Sequence, residues 1–321
     1  MALFLRCLCI ALLLVVLPVA AQSQQTSDEA FDTHVARPMF KARSPKVFLD
    51  QGHHNTHTSR SRYDALAKLA QSDGFDVMLD NNMFSDEDLK EADILIIANP
   101  LGDDNIKLPA ASNSAFTPDE CNAVYRFIAR GGSLLLVVEH APMAVATRSL
   151  GERLGVNFST GYLVDPALAD TAFGASTLIF SQATGTLGNH VTMRGRGAAE
   201  QIQRIRTYTG QSLAGPPGSV KLLRVTDRAQ DILLGPDGGK GPVTDSMKRS
   251  AAGRSQGLAF TIGKGRVVVL GETSMFAAQV VPGPGGVNRR VGMNAPGFQN
   301  RQFALNVLRW LGKGLNEPRP R

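Results

Sequence analysis

Between Lys46 and Leu311 the apolar positions follow two rhythms. Short apolar runs at Val47 to Leu49, Phe75 to Leu79, Ile94 to Ala98 and Leu134 to Val138 alternate with longer amphipathic stretches. The runs ILIIA and LLLVV are uninterrupted, which predicts strands buried on both faces. Between them, Ser59 to Gln71 places Tyr63, Leu66, Ala67 and Ala70 on one face of a helix. Asp86 to Ala92 predicts a short acidic helix. A third helix starts at Thr117-Pro118-Asp119-Glu120, with Thr at the N-cap, Pro at N1 and Glu at N3 of a capping box. Phe116 can staple to Cys121 there, and Gly131-Gly132 ends the helix. This β-α-β-α-β-α-β order predicts an α/β fold with a flavodoxin-like, doubly wound, mainly parallel sheet.

The pattern breaks between about residues 155 and 250, which are rich in Gly, Ser, Thr and Pro with short strand-like runs. This reads as an irregular β-rich insertion in a single domain spanning 46–321. Regular pattern returns as a hairpin, Leu258 to Ile262 and Val267 to Leu270 about Gly263-Lys264-Gly265. A closing helix follows over Phe298 to Leu311. Gly235 to Pro242 (GPDGGKGP) lacks the spacing and the Ser/Thr of a phosphate loop and reads as a plain loop.

The two ends read differently. Residues 1–21 place Arg6 before an apolar stretch from Leu8 to Leu17 and the small residues Val19-Ala20-Ala21, the pattern of a cleaved secretory signal peptide. Residues 22–45 are polar and aperiodic and read as a disordered leader. Export, to a periplasm or out of the cell, is therefore expected. After cleavage Cys121 alone remains of three cysteines, so no intramolecular disulfide can form. No later stretch is long enough to span a membrane. The net charge of +6 and pI near 9.4 would permit nucleic-acid binding. No reader motif is present, so no nucleic-acid partner is expected. The densest basic cluster, Arg194, Arg196, Arg204 and Arg206, reads as a solvated face.

In open α/β sheets ligands bind beyond the carboxyl ends of the strands. Four segments qualify: Asp50-Gln51-Gly52-His53-His54-Asn55-Thr56-His57, Asn99 onward, Glu139-His140-Ala141-Pro142, and Gly271-Glu272-Thr273-Ser274. Asp50, Gln51, His53, His54, Glu139, His140 and Glu272 are therefore the candidate ligand-binding residues. Among them His53, Glu139, His140 and Glu272 are the candidates for catalysis. His53, His54 and His57 are candidate metal ligands, because neutral imidazoles bind zinc and copper. Their spacing is not the zincin pattern. No other cofactor is indicated.

The segments DQGH, FTPDE, GGSLLLVVEHAP, GNHVTMRGR and GETSMF, with the closing Trp-Leu helix, resemble an uncharacterised class I glutamine amidotransferase-like family. It is akin to the periplasmic parts of gliding-motility ABC auxiliary proteins. The resemblance covers most of residues 46–312 and implies a flavodoxin-like sandwich, but no established activity. Amidotransferases carry a nucleophilic Cys after a central strand, whereas here Leu134 to Val138 runs into Glu139-His140. Two readings follow. One is a domain without the thiol that binds a small ligand, a glycan or an envelope protein. The other is a hydrolase in which His53 or His140 acts as base, Asp50 or Glu139 orients it, and a metal assists. The signal-peptide reading gives the first testable outcome. N-terminal sequencing of the exported form should start near Gln22, and a start at Met1 in a membrane fraction would make the segment an anchor.

Overall fold

The computed structural model describes residues 25–234, 242–283 and 286–316. The segment read as a signal peptide and most of the GPDGGKGP loop lie outside them. The centre is a nine-stranded sheet of β1 (Lys46–Asp50), β2 (Asp76–Asp80), β3 (Ile94–Ala98), β4 (Ser133–Val137), β5 (Asn157–Phe158), β6 (Leu213–Ala214), β7 (Val220–Arg224), β8 (Ser255–Ile262) and β9 (Gly265–Leu270). Its order is β2-β1-β3-β4-β9-β8-β6-β5, with β7 paired to β8. From β2 to β9 every pairing is parallel. Beyond β9 every pairing is antiparallel.

The sheet is thus mixed, which corrects the expectation of a mainly parallel one. The reason lies in the connections. A parallel neighbour needs a crossover of a dozen or more residues. The link from β8 to β9 is only Gly263-Lys264, with Ile262 opposite Gly265, so it can only form a hairpin. The parallel half keeps the flavodoxin-like order, with its switch point between β1 and β3.

Strands β3 and β4 are buried at every position. The pleat sends Ile94, Ile96 and Ala98 to one face and Leu95 and Ile97 to the other. The first face packs against α1 (Asp64–Ser72) and α4 (Asn300–Leu311) through Leu66, Leu69, Phe303 and Leu308. The second packs against α2 (Pro118–Arg130) and α3 (Arg148–Leu154) through Val124, Phe127, Leu150 and Leu154. Each such side chain contributes roughly 1.5–3 kcal/mol by burial. The capping box of α2 is formed in full, and Gly131 after it has φ 127, a conformation suited to glycine.

The β-rich region supplies the far margin of the sheet, where β5, β6 and β7 extend the antiparallel half. The expected disordered leader is, from residue 25, bound to the domain. Thr26–Ser27 pairs with Ala278–Pro282, and Val35 is buried with its N–H on Ser72 Oγ at 2.8 Å. Phe40 meets Phe75 edge-on at 4.7 Å. Phe31, Met39 and Phe40, scattered among polar residues, supply apolar anchors that a mean polarity hides.

Asp73 holds this leader and α4 together. It accepts from Met39 N at 2.9 Å and makes a two-pronged pair with Arg309, Nε to Oδ2 at 2.6 Å and Nη2 to Oδ1 at 2.7 Å. Arg309 also reaches Glu200 at 3.0 Å, and its side chain is 1% exposed. Removing one partner of a buried pair leaves the other charge without compensation. Asp73→Ala should therefore lower stability by about 3–5 kcal/mol in urea unfolding. A loss under about 1 kcal/mol would mean that the pair is solvated in solution.

Candidate functional site

The loops that follow β1, β3, β4 and β9 meet at one edge of the sheet, and Asn99 joins them. Its N–H continues the ladder to Val137 O at 2.9 Å, after which the chain turns with φ 47. Asn adopts that left-handed conformation more readily than most residues. The turn presents Asn99 O to the N–H of Thr56 at 3.1 Å, in the loop after β1. Asn99 Oδ1 accepts from Glu139 N at 2.8 Å, after β4. Asn99 Nδ2 donates to Thr273 Oγ1 at 3.3 Å, after β9. Thr273 in turn donates to Glu139 Oε1 at 2.5 Å.

Around this hub lie the other polar groups of the edge. Glu272 is fully buried, and its two oxygens accept from Ser274 N at 2.6 Å and Met275 N at 2.8 Å. Burial, and then the charge of Glu139, push its carboxyl well above the usual range. The two carboxylates are therefore electrostatically coupled. Tyr63 is also buried and donates to Thr273 O at 3.2 Å. Burial, followed by Glu272 and Glu139, raises its phenol well above 10. Gln211 donates to Val138 O and Glu139 O, both at 2.9 Å. His140 is half-buried, with Nδ1 2.7 Å from Ala141 O and its ring 4.1 Å from that of Tyr162.

The three histidines of the first loop do not converge, which corrects their reading as metal ligands. His53 is buried with both ring nitrogens committed, Nδ1 to Asp50 Oδ1 and Nε2 to Glu120 Oε1, each at 2.8 Å. Phe84 and Phe116 flank its ring at 4.4 and 4.7 Å. His54 is exposed, on a backbone with φ 50. His57 is buried, with Nδ1 on Thr56 Oγ1 at 3.0 Å, its ring against Tyr63 and Nε2 without a partner. Among the described residues no group of three or more His, Cys, Asp or Glu side chains is placed to hold a metal. The same geometry removes His53 from the catalytic candidates, since a base needs a free nitrogen lone pair.

The remaining candidates divide. Glu139, His140 and Glu272 surround the Asn99 hub. Asp50 faces His53 and also accepts from Asn55 Nδ2 at 2.9 Å. Gln51 ties the loop to β2 through Asp80 O at 2.7 Å, and its Oε1 accepts from Ser59. Cys121 is buried in the first turns of α2, next to Glu120, with burial raising its thiol. Sequence reasoning placed Asn99 and Thr273 in the edge loops without choosing them as site residues, and it missed Tyr63 and Tyr162 as members of the edge. A polar residue directly after an apolar strand was the available signal for Asn99. Glu120 was read only as a helix cap, and nothing in the sequence pairs it with His53.

No protein-family model matches the chain, and no curated protein does. Solved structures match in fold. The mmIFT52 N-terminal domain is 15% identical, over 83% of this chain and 97% of that one, with a TM-score of 0.56. A ThuA-like protein from Bacteroides uniformis is 12% identical, over 87% and 93%, at 0.38. A GMP synthase-like protein from Thermoplasma acidophilum is 13% identical, over 83% and 93%, at 0.37. With the first of these the chain shares its fold.

Two histidines of one loop shift in opposite directions, which makes stability depend on pH. Burial works against charge on His53, but the hydrogen bonds and charges of Asp50 and Glu120 outweigh it and raise its pKa above 6.5. Its contribution is complete below 6.5 and is lost as pH rises through the higher native value. Burial, and then Arg62, lower His57 to about 3. The unfolded chain protonates this residue first, so stability is lost as pH falls from 6.5 toward 3. These two residues should therefore give thermal unfolding an acid limb below pH 6.5 and an alkaline limb above it. His57→Phe should flatten the acid limb and His53→Asn the alkaline one. Unchanged limbs in both variants would contradict the assignment.

Proposed function

We propose that the chain is an exported, amidotransferase-like, doubly wound α/β domain whose strand edge binds a small ligand rich in O–H or N–H donors, a glycan foremost. The ligand is either free or carried by an envelope partner. The observation that carries this reading is the pair Glu139-His140 after β4. In the resemblance, that is where an amidotransferase holds its thiol. Thiolate attack on an amide requires a sulfur nucleophile. Glu139 and His140 instead offer acceptors. With Nδ1 2.7 Å from a carbonyl oxygen, neutral His140 carries its proton there and keeps a lone pair on Nε2. Glu139 is oriented by Thr273 and by its own N–H on Asn99. The Tyr162 ring beside His140 adds an apolar surface. A few placed acceptors beside an aromatic ring suit a sugar, which brings hydroxyl donors and an apolar ring face. The competing hydrolase reading rests on His140 alone, since His53 has no free nitrogen.

Calorimetric titration with a panel of cell-envelope oligosaccharides, followed by mass spectrometry of the recovered sugars, tests this. One or more sugars should bind and be recovered unchanged. Glu139→Gln and His140→Ala should each weaken binding about tenfold or more, as loss of a hydrogen bond to a charged or buried group does. Their melting temperatures should stay close to that of the parent. Turnover of a sugar that disappears in His140→Ala would replace this reading with the hydrolase. Absence of binding across the panel would end it.

A further inference from the structure

The basic cluster read as a solvated face is only partly so. The Arg206 side chain is 12% exposed and lies between two phenyl rings, its guanidinium 4.4 Å from Phe173 and 4.0 Å from Phe298. Arg289 stands 4.7 Å from Phe173, and Arg204 stands 4.9 Å from Phe298. The result is a ladder of alternating guanidinium and phenyl groups, Arg289-Phe173-Arg206-Phe298-Arg204. Its parts come from three separate places in the chain, the loop after Asp170, the strand Arg204–Tyr208 and the region around the strand Asn288–Gly292.

One end of the ladder lines an open groove of about 650 Å³, bounded by Phe173, Arg206, Asn288, Arg289, Arg290 and Asp28. The charges there do not balance. Asp170 pairs with Arg206 at 2.8 Å, and Asp28 lies 3.6 Å from Arg290. Arg204 and Arg289 have no carboxylate partner among the described residues. Arg206 Nε is buried with no hydrogen-bond partner. A row of fixed like charges raises the local potential and costs stability unless an anion meets it. Guanidinium groups held over rings lose little freedom on binding and match carboxylates with two parallel hydrogen bonds.

We propose that this groove, with the ladder that continues from it to Arg204, is a second binding site, which takes a carboxylate-bearing oligosaccharide through Arg289, Arg206 and Arg204. A row of cations calls for a ligand with several anionic groups along its length. A single-stranded nucleic acid fits less well, because both rings of the ladder are already covered by guanidiniums and leave no platform for base stacking. This site does not depend on the reading of Glu139 and His140.

The test is binding of an oligogalacturonate by fluorescence anisotropy at low salt, with single-stranded oligothymidylate as the competitor. The parent protein should bind the oligogalacturonate, and added salt should weaken it. The double variant Arg204→Gln/Arg289→Gln should lose affinity about tenfold or more, with an unchanged circular dichroism spectrum. Arg204→Lys/Arg289→Lys, which keeps charge but not the planar fork, should fall between the two. Lack of binding by the parent, equal affinity in the Gln variant, or tighter binding of oligothymidylate would each overturn the proposal. None of these measurements involves Glu139 or His140, so the two sites stand or fall separately.

Discussion

Asn99 is the point where the loops of the sheet edge become one structure. It sits at the end of a strand buried at every position, and its amide group has a donor and an acceptor to place. A left-handed turn aims its carbonyl at the loop after β1, while the side chain reaches the loops after β4 and β9. Three chain segments far apart in sequence thus acquire a fixed relation through one residue. Glu139 and Thr273 owe their orientation to it, and so do the acceptors that the edge offers to a ligand.

The loop after β1 shows how burial decides what a histidine can do. His53, His54 and His57 look alike in sequence, within five residues of one another. One is buried between two carboxylates and serves as a cationic brace from β1 to the start of α2. One is exposed. One is buried almost without partners and is held neutral. A charged imidazole can be buried only where counter-charges compensate its lost hydration, and Asp50 and Glu120 supply them.

Much of the frame was legible because it follows from local rules. The run ILIIA, the Thr117-to-Glu120 capping box and the hairpin about Gly263 are properties of adjacent residues. What was not legible depends on contacts across long separations. Glu120 caps its own helix, which sequence reveals, but it also receives His53 from 67 residues away, which sequence does not. Residues 25–45 looked like a tail because their few apolar side chains show no period. They are anchored one at a time, by Asp73, Ser72 and Phe75. Arg204 and Arg206 looked solvated because the phenyl rings that hold them, Phe173 and Phe298, lie far off in the chain.

If Asn99 holds the edge loops in a single arrangement, amide hydrogen exchange on Asn99→Ala should reveal it. That variant loses the side-chain acceptor and the ease of the left-handed turn together. The amides of Glu139 and Thr56 should lose protection together, while those of β3 and β4 keep theirs. Loss of protection at Glu139 alone, with Thr56 unchanged, would show that the loops are held independently and would contradict the role given to Asn99.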